Sequence, residues 1–173
     1  NVLMKKRYCC KRLNETLNFD AKKVFYCCAT RTGPSIDVPK PDKINEIIKK
    51  RNSLIKMLDR GIIPKECEGC FDLEEQKNSK PLIISQFSKP PKANMIIVKH
   101  FKQCDCSCVY CCEQYLSERK IVLKSKKSDY YDLLPIIKEL YKQNMIDKNE
   151  LDVHFQGGNV SVLDEFHDLV DIF

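Results

Sequence analysis

Cys104, Cys108 and Cys111 stand in the pattern CxxxCxxC, with Tyr110 immediately before the last thiol. Thiolates are soft ligands suited to iron–sulfur clusters and zinc. Three of them on one short loop can hold three irons of a [4Fe-4S] cluster, and the fourth iron is then left open to a substrate. Ferredoxin-type sites instead supply a Cys to every iron, in CxxCxxC runs followed by a further Cys and a Pro. Neither that run nor that Pro is present.

The other cysteines bunch as well. Of 11 in 173 residues, Cys9, Cys10, Cys27 and Cys28 form one group, Cys67 and Cys70 a second, and Cys106 and Cys112 join the CxxxCxxC as spare thiols. Scattered structural cysteines do not cluster in this way, so metal or cluster ligation is the reading. Within Glu66-Cys67-Glu68-Gly69-Cys70, Gly69 lets the backbone fold around whatever the two thiolates bind.

Composition narrows the setting. The hydrophobic share of 43% is enough for a core, and the length of 173 residues suits about one domain. No apolar run approaches the roughly 18 residues that span a bilayer. The opening Asn1 to Arg7 has no signal-peptide apolar region. A reduced, cytoplasmic chain without membrane contact is expected, and disulfides are not. The net charge of +6 is spread over 30 basic and 24 acidic residues, and no nucleic-acid-binding module accompanies it.

The elements that must position these thiols follow from periodicity. Leu17 to Cys28 reads as two short strands around Asp20 to Lys23, followed by a Pro-containing loop through Pro34, Pro39 and Pro41. Ile44, Ile47, Ile48, Leu54, Ile55 and Leu58 recur at helical spacing as a packing stripe, with Asp42 as a candidate cap and Gly61 as the stop. Glu74 and Glu75 read as solvated surface. Asn94 to Lys99 is an apolar strand leading into the CxxxCxxC. A helix is expected over Asp129 to Asn144 despite Pro135. In Leu151 to Gln156 the alternation sends Leu151, Val153 and Phe155 one way and Asp152, His154 and Gln156 the other. Gly157-Gly158 closes that strand, and a further helix opens at Val162. Strand, helix, strand, helix predicts an α/β fold with a parallel sheet or barrel. Of the three histidines, His154 is the best placed for acid–base work.

The stretch Ile96 to Cys111 resembles the start of the radical S-adenosylmethionine enzymes, whose CxxxCxxC follows the first strand of a β/α barrel. The resemblance implies that Cys104, Cys108 and Cys111 ligate the cluster and that Tyr110 lies near the adenine of S-adenosylmethionine. That family also has a GGE motif at the end of the second strand, and Phe155-Gln156-Gly157-Gly158-Asn159 stands at that place. Gly157 and Gly158 would meet the cofactor's amino group through their backbone, with Asn159 in the position of the family's Glu. Cys10, then Val24-Phe25-Tyr26-Cys27-Cys28, then Cys67 and Cys70 are similar to the SPASM or twitch modules of the same superfamily. This second resemblance implies an auxiliary iron–sulfur cluster on Cys10, Cys27, Cys67 and Cys70. Four thiolates equally suit a tetrahedral Zn²⁺.

The expectation is therefore an N-terminal Cys-rich α+β module over residues 1–80, then the first two β/α units of a truncated radical S-adenosylmethionine barrel over 81–173. An eight-unit barrel takes about 250 residues; the chain begins without Met and stops within an apolar helix, so a fragment is expected. The resemblance implies reductive cleavage of S-adenosylmethionine to a 5′-deoxyadenosyl radical, an external one-electron reductant, and a peptide or protein substrate. The competing reading is a non-catalytic iron–sulfur or zinc-binding module, including one for electron transfer.

Overall fold

A computed structural model of the chain describes residues 6–20, 23–27, 33–37, 41–76, 92–99, 131–156, 159 and 165–173. The strands are β1 (Tyr8–Cys9), β2 (Thr16–Asp20), β3 (Lys23–Phe25), β4 (Ser35–Asp37), β5 (Glu74–Glu75), β6 (Met95–Lys99) and β7 (Asp152–Phe155). The helices are α1 (Lys11–Glu15), α2 (Ile44–Asp59), α3 (Leu134–Lys142) and α4 (Phe166–Ile172).

The described part is mixed α/β. Strands β4, β3, β2, β6 and β7, in that order, make one five-stranded sheet, and β1 pairs with β5 in a separate ribbon. Pairing is parallel between β2 and β6 and between β6 and β7, and antiparallel among β2, β3 and β4. The sheet is thus mixed where a parallel one is expected. Only two residues separate β2 from β3, enough for a hairpin and too few for a parallel crossover. No barrel is closed among the described residues. β4 falls in a stretch expected to be loop. Its Ile36 pairs with Val24, and Pro34 just before it accepts from the Tyr26 N–H at 3.1 Å.

The register sorts side chains onto two faces. Leu17, Phe19, Val24, Ile96 and Val98 share the first, with Val153 and Phe155 beside them, and they join the buried cluster that takes Ile47 and Leu58 from α2, Ile137 and Leu140 from α3 and Leu169 from α4. The second face carries Thr16, Asn18, Asp20, Ile97, Lys99, Asp152 and His154. Because β2 pairs with β6, this sheet and its core run across sequence position 80.

α2 buries the expected stripe except Ile48, which is half-buried and packs against the core. Asp42 does not cap it: that residue lies in a 3-10 turn, Pro41–Lys43, and the N-cap is Lys43 without a side-chain bond. Gly61, at φ +74°, does stop it. Its N–H donates to Leu58 O at 2.9 Å and the Ile62 N–H donates to Met57 O at 2.9 Å, a Schellman closure. α3 ends in the same way on Asn144, at φ +57°, with Met145 N–H donating to Leu140 O at 2.9 Å. It begins later than expected, with Pro135 in its first turn, where no N–H is needed.

Candidate functional site

Three separate stretches are brought to one pocket. The β1–β5 ribbon sets Tyr8 opposite Glu75 and Cys9 opposite Glu74, and the Gln76 N–H donates to Arg7 O at 2.8 Å. Cys10 leaves that ribbon at the start of α1. The CxxC follows the 3-10 turn Lys65–Cys67, with the Cys67 N–H on Pro64 O at 2.8 Å and the Cys70 N–H on Cys67 O at 3.2 Å. Gly69 adopts φ +71°, and a Cβ built on it would meet nothing within 4 Å, so backbone conformation rather than space is what this position demands. Cys27 follows β3 by way of Tyr26, whose buried hydroxyl donates to Ile47 O at 2.9 Å.

Cys10, Cys27, Cys67 and Cys70 together line this pocket, with Leu13 and Pro34 among its other walls. All four are half-buried thiols, not disulfides. Burial pushes the Cys67 thiol up to about 11, and the neighbouring thiols of Cys10, Cys27 and Cys70 push it the same way, since like charges would have to share the space. Burial also raises Cys10, against the opposing pull of the Leu13 and Arg12 N–H groups. Among the described residues no group of three or more His, Cys, Asp or Glu side chains is arranged to hold a metal ion. The four thiols share a pocket without being drawn to ligand spacing. Of the first doublet, Cys9 lies instead near Ile55 and Leu58; Cys28 is outside the described residues.

A buried arginine holds this region together, and the motif reading misses it. Arg51 is 1% exposed and its Nε donates to Leu13 O at 2.9 Å, tying α2 to the end of the helix that Cys10 begins. Burial lowers its guanidinium to about 10, while Tyr26 pulls it back up. The sequence does carry a signal: position 51 continues the apolar stripe of Ile44, Ile47, Leu54, Ile55 and Leu58, so its side chain has to point inward.

The second candidate region is the carboxyl edge of the parallel strands. Met95 to Val98 pair in register with Asp152 to Phe155, and the Gln156 N–H donates to Val98 O at 2.8 Å. Both strands therefore leave the sheet at the same edge. Cys104 comes five residues after Lys99, and Gly157 two after Phe155. Cys104, Cys108, Cys111, Tyr110, Gly157 and Gly158 lie outside the described residues; Asn159 is described and half-buried. On the second face, from the start of β7 to its middle, His154 Nε2 and Asp152 Oδ2 are 2.8 Å apart, both exposed. Burial and the nearby Asp20 carboxylate hold the Tyr131 phenol well above the usual tyrosine range.

The two regions occupy opposite ends of the sheet. β3 runs antiparallel to β2, so the chain beyond Phe25 heads toward Thr16, the amino end of the parallel strands. Fold and sites together define a mixed α/β protein with a four-thiol pocket at the amino end of its parallel strands and a polar face beside their carboxyl ends. Scans against protein-family models, curated proteins and solved structures return no match. Among the described residues no helix is long and apolar enough to cross a membrane.

Proposed function

We propose that this chain is the cofactor-binding part of a radical S-adenosylmethionine enzyme, with β6 and β7 as the first two strands of its barrel. The observation that supports this reading is the parallel pairing of β6 with β7, which directs the chain into the CxxxCxxC and into Gly157-Gly158 from one sheet edge. Ligands of open α/β sheets bind outside the carboxyl ends of the strands. Two motifs that are 46 residues apart in sequence, from Cys111 to Gly157, would then serve one ligand.

In this reading Cys104, Cys108 and Cys111 hold a [4Fe-4S] cluster and leave one iron for the cofactor. The cluster would supply one electron, drawn from an external reductant, for reductive cleavage of S-adenosylmethionine to the radical that takes a hydrogen atom from the substrate. Tyr110 lies beside the adenine. Gly157 and Gly158 offer main-chain carbonyls to the amino group, and the Asn159 side-chain carbonyl accepts a further bond from it. The second face supplies polar side chains to a peptide or protein substrate, with Asp152 orienting His154 through their 2.8 Å contact.

The test is anaerobic reconstitution of the full-length protein with iron and sulfide, followed by electron paramagnetic resonance of the reduced cluster with and without S-adenosylmethionine. A spectral response to the cofactor is expected. It should be absent, with loss of the iron bound there, in Cys104→Ala/Cys108→Ala/Cys111→Ala. Gly157→Val should keep the cluster and weaken cofactor binding by about tenfold or more, about 1.4 kcal/mol. An intact cluster that does not respond to the cofactor would overturn the proposal.

A further inference from the structure

We propose that Cys10, Cys27, Cys67 and Cys70 hold a single tetrahedral Zn²⁺ as a structural clasp, and not an auxiliary iron–sulfur cluster. None of these thiols belongs to the CxxxCxxC, so this inference stands or falls separately from the radical reading.

Size is the first argument. The cavity between the four thiols is about 20 Å³, room for about one water-sized body. One ion with zinc–sulfur bonds of about 2.3 Å fills such a space. A cubane, with four irons and four sulfides, is larger than that space. The walls at Leu13 and Pro34 are anchored: Leu13 O accepts from buried Arg51 and Pro34 O accepts from the Tyr26 N–H.

The donor chemistry agrees. Four thiolates make a Cys₄ structural site, and the CxxC sits on a tight turn with Gly69 at φ +71°. Binding would release the thiol protons, and the ion would then offset two of the four thiolate charges. Arg12 also lines it, paired with Asp72 at 3.8 Å, and Glu66 is the other acidic lining residue.

Location is the third argument. The pocket lies at the amino end of the parallel strands, away from the carboxyl ends where ligands of open α/β sheets bind. In that pocket the ion would join the β1–α1 junction, the end of β3 and the CxxC turn. Closing such long loops is how a bound metal contributes folding free energy.

The experiment uses the full chain carrying Cys104→Ala/Cys108→Ala/Cys111→Ala, so that the third cysteine group contributes no iron. Zinc, iron and acid-labile sulfide are measured per chain after expression with both metals supplied. About one zinc per chain and no sulfide are expected, and Co²⁺ exchanged into the site should show the absorption of a tetrahedral thiolate complex. Adding Cys67→Ser and Cys70→Ser should lower zinc by at least tenfold. If that variant does not fold, Cys27→His keeps four ligands, and should retain zinc while its Co²⁺ bands shift. Iron and sulfide that persist and depend on Cys67 and Cys70 would overturn the proposal in favour of a cluster. A folded chain that takes up neither Zn²⁺ nor Co²⁺ would overturn it altogether. Neither result touches the cofactor response of the third cysteine group, which decides the radical reading.

Discussion

At the amino end of the parallel strands, thiols from three distant stretches, at Cys10, at Cys27 and at Cys67 with Cys70, meet at one pocket. At the carboxyl end the cysteines that we propose as cluster ligands are compact in sequence, from Cys104 to Cys111, and the described fold contributes the edge from which β6 leaves toward them. The difference separates two ways in which a chain can gather thiols. A dispersed set depends on every element that carries it, so its affinity is coupled to folding. A set on one loop carries its own spacing, and in the reading proposed above it needs the fold chiefly to bring in the segment after β7.

If that contrast holds, the largest effect of an interior substitution on the pocket should come from Arg51. Arg51→Ala removes a fully buried side chain and leaves the Leu13 carbonyl unmet. A loss of about 3 kcal/mol in urea unfolding is expected, with zinc released from the pocket more readily and cluster assembly on the third group preserved in the fraction that remains folded. A change within about 0.5 kcal/mol would place Arg51 with ordinary surface residues and uncouple the pocket from α2.

Next comes alkaline pH. Burial, as the leading cause, holds the phenols of Tyr26 and Tyr131 above the ordinary value of 10.0; Arg51 opposes the shift at Tyr26 and Asp20 adds to it at Tyr131. The folded chain keeps protons that the unfolded chain releases above pH 10. The stability due to these shifts is therefore complete below pH 10 and is lost as pH rises beyond it, at up to about 1.4 kcal/mol per pH unit for each phenol. Urea midpoints measured between pH 9 and 11 should fall in the native chain, and fall less steeply in Tyr131→Phe. Tyr26→Phe should flatten the slope by a similar amount, because both phenols stay protonated in the folded chain over this range. Equal slopes in all three proteins would rule this out.

The smallest effect is expected at Gly69. Space is open there, so Gly69→Ala meets only the conformational cost of φ +71°, about 1 kcal/mol. Gly69→Asn should cost less, since Asn tolerates that region. A loss of several kcal/mol for Ala would mean that the turn packs against something its open surroundings do not account for.

Part of this was legible without coordinates. The stripe from Ile44 to Leu58, the strands β6 and β7, and the stop at Gly61 follow from periodicity and turn chemistry, which act over a few residues. The alternation that puts Asp152 and His154 on one face of β7 is equally local, since successive side chains point to opposite sides. Arg51 was half legible, by its place in the apolar stripe, but its partner at Leu13 lies 38 residues away. The short strands β1, β4 and β5 carry too few residues to form a pattern, and they exist because a neighbour pairs with them.

By itself the sequence determined which residues can do chemistry and at what local spacing: the CxxxCxxC, the CxxC with its glycine, and the adjacent Gly157 and Gly158. Only the tertiary structure decided that Cys10 rather than Cys9 faces the pocket with Cys27, Cys67 and Cys70, that the N-terminal strands share one sheet with β6 and β7, and that this pocket lies at the end of the sheet opposite the edge from which β6 leaves. The physical reason is range. Side-chain alternation, helical period and positive-φ turns are set by a residue and its near neighbours, whereas strand pairing and the meeting of distant thiols are set by which buried surfaces fit together.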